Sequence, residues 1–206
     1  MPSKLTGLFK TLVWGDFGKP RAGAPPAPNT KATAAFTKAV PRFSNVNFNP
    51  VPGTKPAKFQ LADSVTVDVK LDPSVYVMAW VFTHPDPAFQ ANVLNHEQKH
   101  YDIGGLLARD FFIAVMQLKP KVYSTTAAAK ADFDQIKKDT IDKQGAIEKL
   151  YDAETEHGRK PAEQAVWDGY VNAAFTTPRP GGGSSPDGKT YKKTLVQVLK
   201  DAGKTL

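Results

Sequence analysis

The stretch His96-Glu97-Gln98-Lys99-His100 combines residue types and spacing that spell out a chemistry. On a helix, two imidazoles four positions apart project from one face about a turn from each other, so both can reach one tetrahedral Zn²⁺. Glu97, beside the first imidazole, is then placed to take a proton from a water that the metal activates, while the metal polarises a carbonyl. The pattern implies hydrolysis of a peptide or amide bond. Ile103 and Leu107 fall on the same face as His96 and His100, which turns the histidines toward the core, where an imidazole pair needs partners. The competing reading is two histidines satisfied by ordinary packing.

A catalytic zinc site needs a third protein ligand and an open position. The chain has no cysteine, so thiolate sites and disulfides are excluded and the ligands must be imidazole or carboxylate. Tyr101-Asp102-Ile103 follows His100 without a further histidine at short spacing. The candidates lie downstream, in Tyr151-Asp152-Ala153-Glu154-Thr155-Glu156-His157-Gly158. His157 leads as one of four histidines, followed by Glu154, with Asp152 and Glu156 also open. The plain alternative for His157 is a contact with the negative end of a helix. Asp152 and Glu154 are also candidates to accept the outer N–H of a ligand histidine. Tyr170 and Tyr151 are candidate donors to a developing oxyanion. Trp14, Trp80 and Trp167 read as core, and His84, between a strand and prolines, as a turn residue.

The elements that must position these groups can be read from periodicity. Strand candidates are 33–40 and 42–48, bounded by Pro41 and Pro50. A half-buried strand follows in 59–70, with Val65, Val67 and Val69 on one face, and a buried one in 75–82. Asp86-Pro87 reads as an N-cap and first helical position. A helix over 88–118 follows and stops at Lys119-Pro120. Gly104-Gly105 inside it implies a close approach of another element, or a kink. A second long helix covers 127–157 and ends at Gly158. A third runs from Pro161 to about Phe175, and residues 191–202 suit a short amphipathic helix. The fold class is α+β, a small early sheet followed by helices.

The net charge of +7 is uneven. Residues 1–60 carry nine Lys/Arg against one acid, and 179–206 carry six against two, whereas 61–178 carry twelve against seventeen. The basic excess thus belongs to the ends. No interleaving of Arg with aromatics suggests a nucleic-acid track, and none is expected as partner. The expected domains are a basic, Pro/Gly/Ala-rich segment 1–31 with an irregular connector over 18–31, a metallopeptidase domain 32–177, and a linker (178–188) with a basic helix within 178–206. No apolar stretch is long enough for a membrane span. Residues 1–17 do not read as a signal peptide, so as written the expectation is a cytoplasmic product.

Several strings together resemble a family of predicted, mostly secreted bacterial zinc-dependent proteases of zincin type. They are Trp14-x-Asp16-Phe17, Trp80-Val81, Leu94-x-His96-Glu97-Gln98-x-His100-Tyr101-Asp102-Ile103, Tyr151-Asp152-x-x-Thr155-x-His157-Gly158 and Gln164-x-x-Trp167. The family usually has Phe at the Tyr101 position. The resemblance covers most of 12–172. It implies a zincin-like fold, with His96, His100 and His157 as zinc ligands, Glu97 as the catalytic acid/base and a polypeptide substrate. It also implies export, which the start of the chain does not display. Two other functions stay open: a non-catalytic zinc-fold binding module, and an envelope-directed hydrolase or toxin using the same chemistry.

Overall fold

The computed structural model describes residues 3–25, 33–176 and 193–206. They form an α+β arrangement of short strands and four helices built around one central helix. That helix, α1 (Pro87–Met116), starts as its sequence dictates: Asp86 accepts from the Ala88 N–H at 2.9 Å, and Pro87 occupies the first turn, where no N–H is needed. Its buried residues lie on several faces, from His96 and Ile103 to Arg109, Phe111 and Val115. A helix apolar on most sides is a core helix, and α1 has a separate hydrophobic cluster on each side.

The first cluster lies against the sheet. β1 (Lys4–Thr6), β3 (Ala39–Ser44) and β6 (Thr66–Leu71) form a mixed sheet of order β1-β6-β3, with β1 parallel and β3 antiparallel to β6. Alternation in β6 buries Val67 and Val69, and these pack in one cluster with Phe111, Phe112 and Val115 of α1. Two small antiparallel pairs flank the sheet. β2 (Ala35–Phe36) joins β7 (Tyr76–Val77), and β4 (Phe48–Pro50) joins β5 (Phe59–Leu61).

The second cluster is helical. α2 (Thr126–Thr155), α3 (Pro161–Thr176) and α4 (Leu195–Asp201) pack with α1 around Ile103, Leu106, Ile147, Tyr151, Trp167 and Leu199. Thr125 caps α2, and Thr194 with Gln197 forms a reciprocal box on α4. Arg109 is buried and crosses this region, donating to the carbonyls of Ala174 at 2.8 Å and Lys193 at 2.9 Å.

Several boundaries differ from the sequence expectation. Residues 3–25 are not merely a loose leader to the fold: β1 joins the sheet, and Leu8, Leu12 and Phe17 are buried. Gln98 of α1 accepts from the Leu12 N–H at 2.7 Å and donates to the Lys10 carbonyl at 2.9 Å. The 59–70 segment is two strands, separated by a turn at Asp63-Ser64. Of the buried strand expected over 75–82, Tyr76–Val77 forms a strand and Met78 is extended after it; Ala79–Thr83 forms a 3₁₀ turn. An unbroken apolar run satisfies either state, so periodicity alone does not separate them. Pro41 lies inside β3, opposite Val69, rather than ending a strand. β3 is an edge strand, where a missing N–H is tolerated. The linker read at 178–188 and part of the connector read at 18–31 lie outside the described residues. Gly104 and Gly105 mark a close approach: a Cβ on Gly104 would lie 2.5 Å from the Ala39 Cβ, and one on Gly105 3.0 Å from the Leu8 carbonyl oxygen.

Candidate metal centre

α1 and α2 pack side by side and bring together the two stretches that the sequence singles out. His96 and His100 project from α1, and Asp152 projects from the last turns of α2. Their ligand atoms form a tight triangle. His96 Nε2 and His100 Nε2 are 3.2 Å apart, and Asp152 Oδ1 lies 3.1 Å from the first and 3.0 Å from the second. A tetrahedral zinc with arms of about 2.0–2.1 Å sets its ligand atoms about 3.3 Å apart, so these edges fit such an ion.

Hydrogen bonding fixes which atoms face the triangle. The Gln164 amide N–H donates to the Asp168 carboxylate at 2.9 Å, which leaves Gln164 Oε1 to accept from the Tyr151 hydroxyl at 2.8 Å. That same oxygen lies 3.3 Å from His96 Nδ1. An acceptor there demands a proton on Nδ1, so Nε2 offers a lone pair. A bare imidazole nitrogen, a second imidazole nitrogen and a carboxylate oxygen therefore converge at about 3 Å. A proton on His100 Nε2 joins these atoms in the metal-free protein, and a metal ion can take its place; the donor set suits zinc.

Electrostatics agree. Burial works against protonating His100, but the Asp152, Glu97 and Glu148 carboxylates outweigh it and hold its pKa above the ordinary value. Burial alone would raise Asp152, yet its bonds to His100 and His96 and their charge hold it well below the usual carboxylate range.

The turn after α2 presents His157. Glu156, His157 and Gly158 all have positive φ, at 47°, 55° and 80°. Two consecutive non-glycine residues in the left-handed region are costly. The turn is held by the Glu156 and His157 N–H groups, both donating to the Asp152 carbonyl. It aims His157 Nδ1 at Asp152 Oδ1, 3.3 Å away, with the ring about one-third exposed. His157 thus meets the triangle through Asp152 and is not within the group of ligand atoms that lie within 4.8 Å of one another. Gly158 packs on the first histidine: a Cβ there would lie 2.9 Å from His96 Cβ.

Glu97 is buried and lines the same cleft as His96, His100 and Asp152, and its Oε2 has no hydrogen-bond partner. Glu148, one turn before Asp152 on α2, also lines this cleft. Burial raises its pKa despite the hydrogen bond from Gln144. Sequence reasoning missed Glu148; its spacing of four from Asp152 was the available signal.

The remaining candidates fall elsewhere. Glu154 accepts from Trp167 Nε1 at 2.8 Å and is paired with Lys204 at 2.6 Å, so it holds α2, α3 and the C-terminal residues together instead of serving the triangle. Tyr151 stacks on His96 at 4.6 Å, with its hydroxyl occupied by Gln164 and the His96 carbonyl. It positions that ring. Tyr170 packs on Trp167, Trp167 on Tyr151 and Tyr151 on His96, which leaves Tyr170 two rings removed and outside the cleft lining. Asp102 pairs with Lys99 and Gln98, away from the ligand atoms. His84 stacks on Phe89 in the turn before α1. Glu156 pairs with Lys160.

Residues 65–158 match a family described as a bacterial protein of unknown function (DUF922). The match covers a little under half of the chain and includes His96, Glu97, His100, Asp152 and His157. It relates this stretch to a bacterial family. No curated protein and no solved structure gives a match.

Proposed function

We propose that the chain is a zinc-dependent peptidase of zincin type. The observation that carries this reading is the convergence of His96, His100 and Asp152 on one point of a cleft that Glu97 also lines. Zinc, when bound, supplies Lewis-acid polarisation of a carbonyl and makes water acidic enough to ionise near neutral pH. His96, His100 and Asp152 are its ligands in this reading, with Gln164 and Tyr151 holding His96 in the tautomer that ligation needs. Glu97 takes a proton from water as its oxygen adds to the scissile carbonyl carbon. It returns that proton to the amine as the C–N bond breaks.

The oxyanion needs a donor, and neither tyrosine suggested by the sequence is free to serve. His157 suits the task. Its ring stands at the mouth of the cleft, paired with a carboxylate, on a backbone too constrained to swing freely. The resemblance assigns His157 to the metal instead, and the two roles separate experimentally. As the third ligand, His157 would take zinc with it when replaced by alanine. As an oxyanion donor, it would leave the zinc and lower kcat.

The base is tested by Glu97→Gln. The reading expects zinc content unchanged and turnover lowered by roughly 10²–10⁴-fold. Turnover retained in that variant removes Glu97 as the base.

A further inference from the structure

The metal cleft has a volume of ≈ 120 Å³. Since a water takes about 30 Å³, it has room for an ion, a carbonyl and little more. Substrate side chains must lodge outside it, and two further pockets share lining residues with it. Glu148 also lines a pocket of ≈ 490 Å³ between β3 and α2. Ala34, Val93 and His157 also line a second pocket of ≈ 230 Å³ beside the start of α1. One stretch of chain, residues 33–43, walls the cleft and runs on along the larger pocket. Space at two separate pockets beside the ligands suits a chain that runs past the metal, not one that ends there.

The larger pocket has a definite character. Its β3 side is Val40, Pro41 and Phe43, and its α2 side includes Ile141, which is 54% exposed. Lys38 and Lys137 flank it, with the Lys137 ammonium 5.8 Å from the centre of the Phe43 ring. Gly145 lies on the same wall. A glycine inside a helix is unfavourable, and this one, unlike Gly104, has no neighbour that demands it: a Cβ there would meet nothing within 4 Å. The effect of the missing side chain is to leave the pocket open.

We propose that the substrate is an internal segment of an extended polypeptide, laid along residues 33–43, with a bulky apolar side chain in the pocket between β3 and α2. The two lysines outnumber the Glu148 carboxylate in this lining and disfavour a basic side chain at that position. The inference rests on the peptidase reading above and adds the class of substrate and the residues that select it.

The test uses the full-length, zinc-loaded protein and a library of unstructured peptides blocked at both termini, with cleavage sites read by mass spectrometry. Cleavage should occur in blocked peptides, with Leu, Met or Phe favoured over Ala at one fixed position from the scissile bond by at least ~10-fold. Lys and Arg should be disfavoured there. Gly145→Trp places an indole in the pocket and should abolish that preference while zinc content is unchanged. Gly145→Ala, which leaves most of the pocket open, should keep the preference and shows that helix change alone is not the cause. Cleavage that needs a free terminus, or a preference unchanged in Gly145→Trp, overturns this inference and leaves the peptidase reading standing. No cleavage of any peptide by the zinc-loaded protein overturns the peptidase reading, and this inference with it.

Discussion

Replacing Gly158 with alanine perturbs the metal centre without replacing a ligand, and the structure sets the size of the effect. Two costs add. Residue 158 has φ +80°, where an L-residue is disfavoured by about 1–2 kcal/mol. The new methyl would also lie 2.9 Å from His96 Cβ and 3.2 Å from its Cγ, an overpacking that costs a further 1–3 kcal/mol or so. The buried His96 ring is held between Tyr151 and Gln164, so it relieves the contact only by leaving its ligand geometry. Displacing the supports of a ligand typically costs about 10–100-fold in metal affinity. Gly53→Ala is the control, because its φ is +77° and a Cβ there meets nothing within 4 Å; it carries the conformational cost alone. Denaturant unfolding in the presence of a chelator should show Gly158→Ala losing about 1–3 kcal/mol more than Gly53→Ala. Competition with a chromophoric chelator should show weakened zinc binding only in Gly158→Ala. Equal losses in both variants with unchanged zinc affinity would refute the argument that Gly158 shapes the site through His96.

Gln164→Leu removes the acceptor that fixes the His96 tautomer and should weaken zinc binding by about 10–100-fold, measured by the same competition. A variant binding zinc as tightly as wild type would show that Gln164 has no part in presenting His96. Gly104→Ala should destabilise by about 1–3 kcal/mol, because its methyl meets Ala39 at 2.5 Å; unfolding in denaturant measures it. The metal-free protein should respond to pH at both ends. His100 has a raised pKa, so its pairing contributes fully below 6.5 and fades as pH rises through the raised value. Asp152 has a lowered pKa, so its contribution is present above 3.8 and fades as pH falls through the lowered value. Metal-free stability should therefore peak between these limits. Zinc uptake just above pH 6.5 should release a proton from His100, seen as a buffer-dependent heat of binding.

The sequence made part of the site legible because local rules govern it. A spacing of four on a capped helix determines that His96 and His100 share a face, and both do. The glycine pair in α1 signalled a close approach, now attributable to Ala39 and Leu8. What escaped depends on tertiary placement. A helix continued to His157 puts that ring on the face of Leu150 and Glu154. The chain instead leaves the helix at Thr155, and three left-handed residues turn His157 toward Asp152. Periodicity has no term for that turn, so the grouping of Asp152 with the two histidines is not legible in the sequence. Glu154 and Tyr170 were attractive for their chemistry, but their surroundings (Lys204 and Trp167) come from segments distant in sequence. No strand is legible at residues 4–6 because β1 has only three residues, too few for a pattern. β1 exists because β6 offers it an edge.

The most direct test of the metal centre is elemental analysis of protein purified without a metal-binding tag and incubated with zinc, for wild type, Asp152→Ala and His157→Ala. The account predicts about one zinc per chain in wild type, from one closed group of ligands. It predicts loss of zinc in Asp152→Ala and retention in His157→Ala. Zinc lost in His157→Ala but kept in Asp152→Ala would return the third ligand to His157, and a wild-type protein that binds no zinc would contradict the metal centre itself.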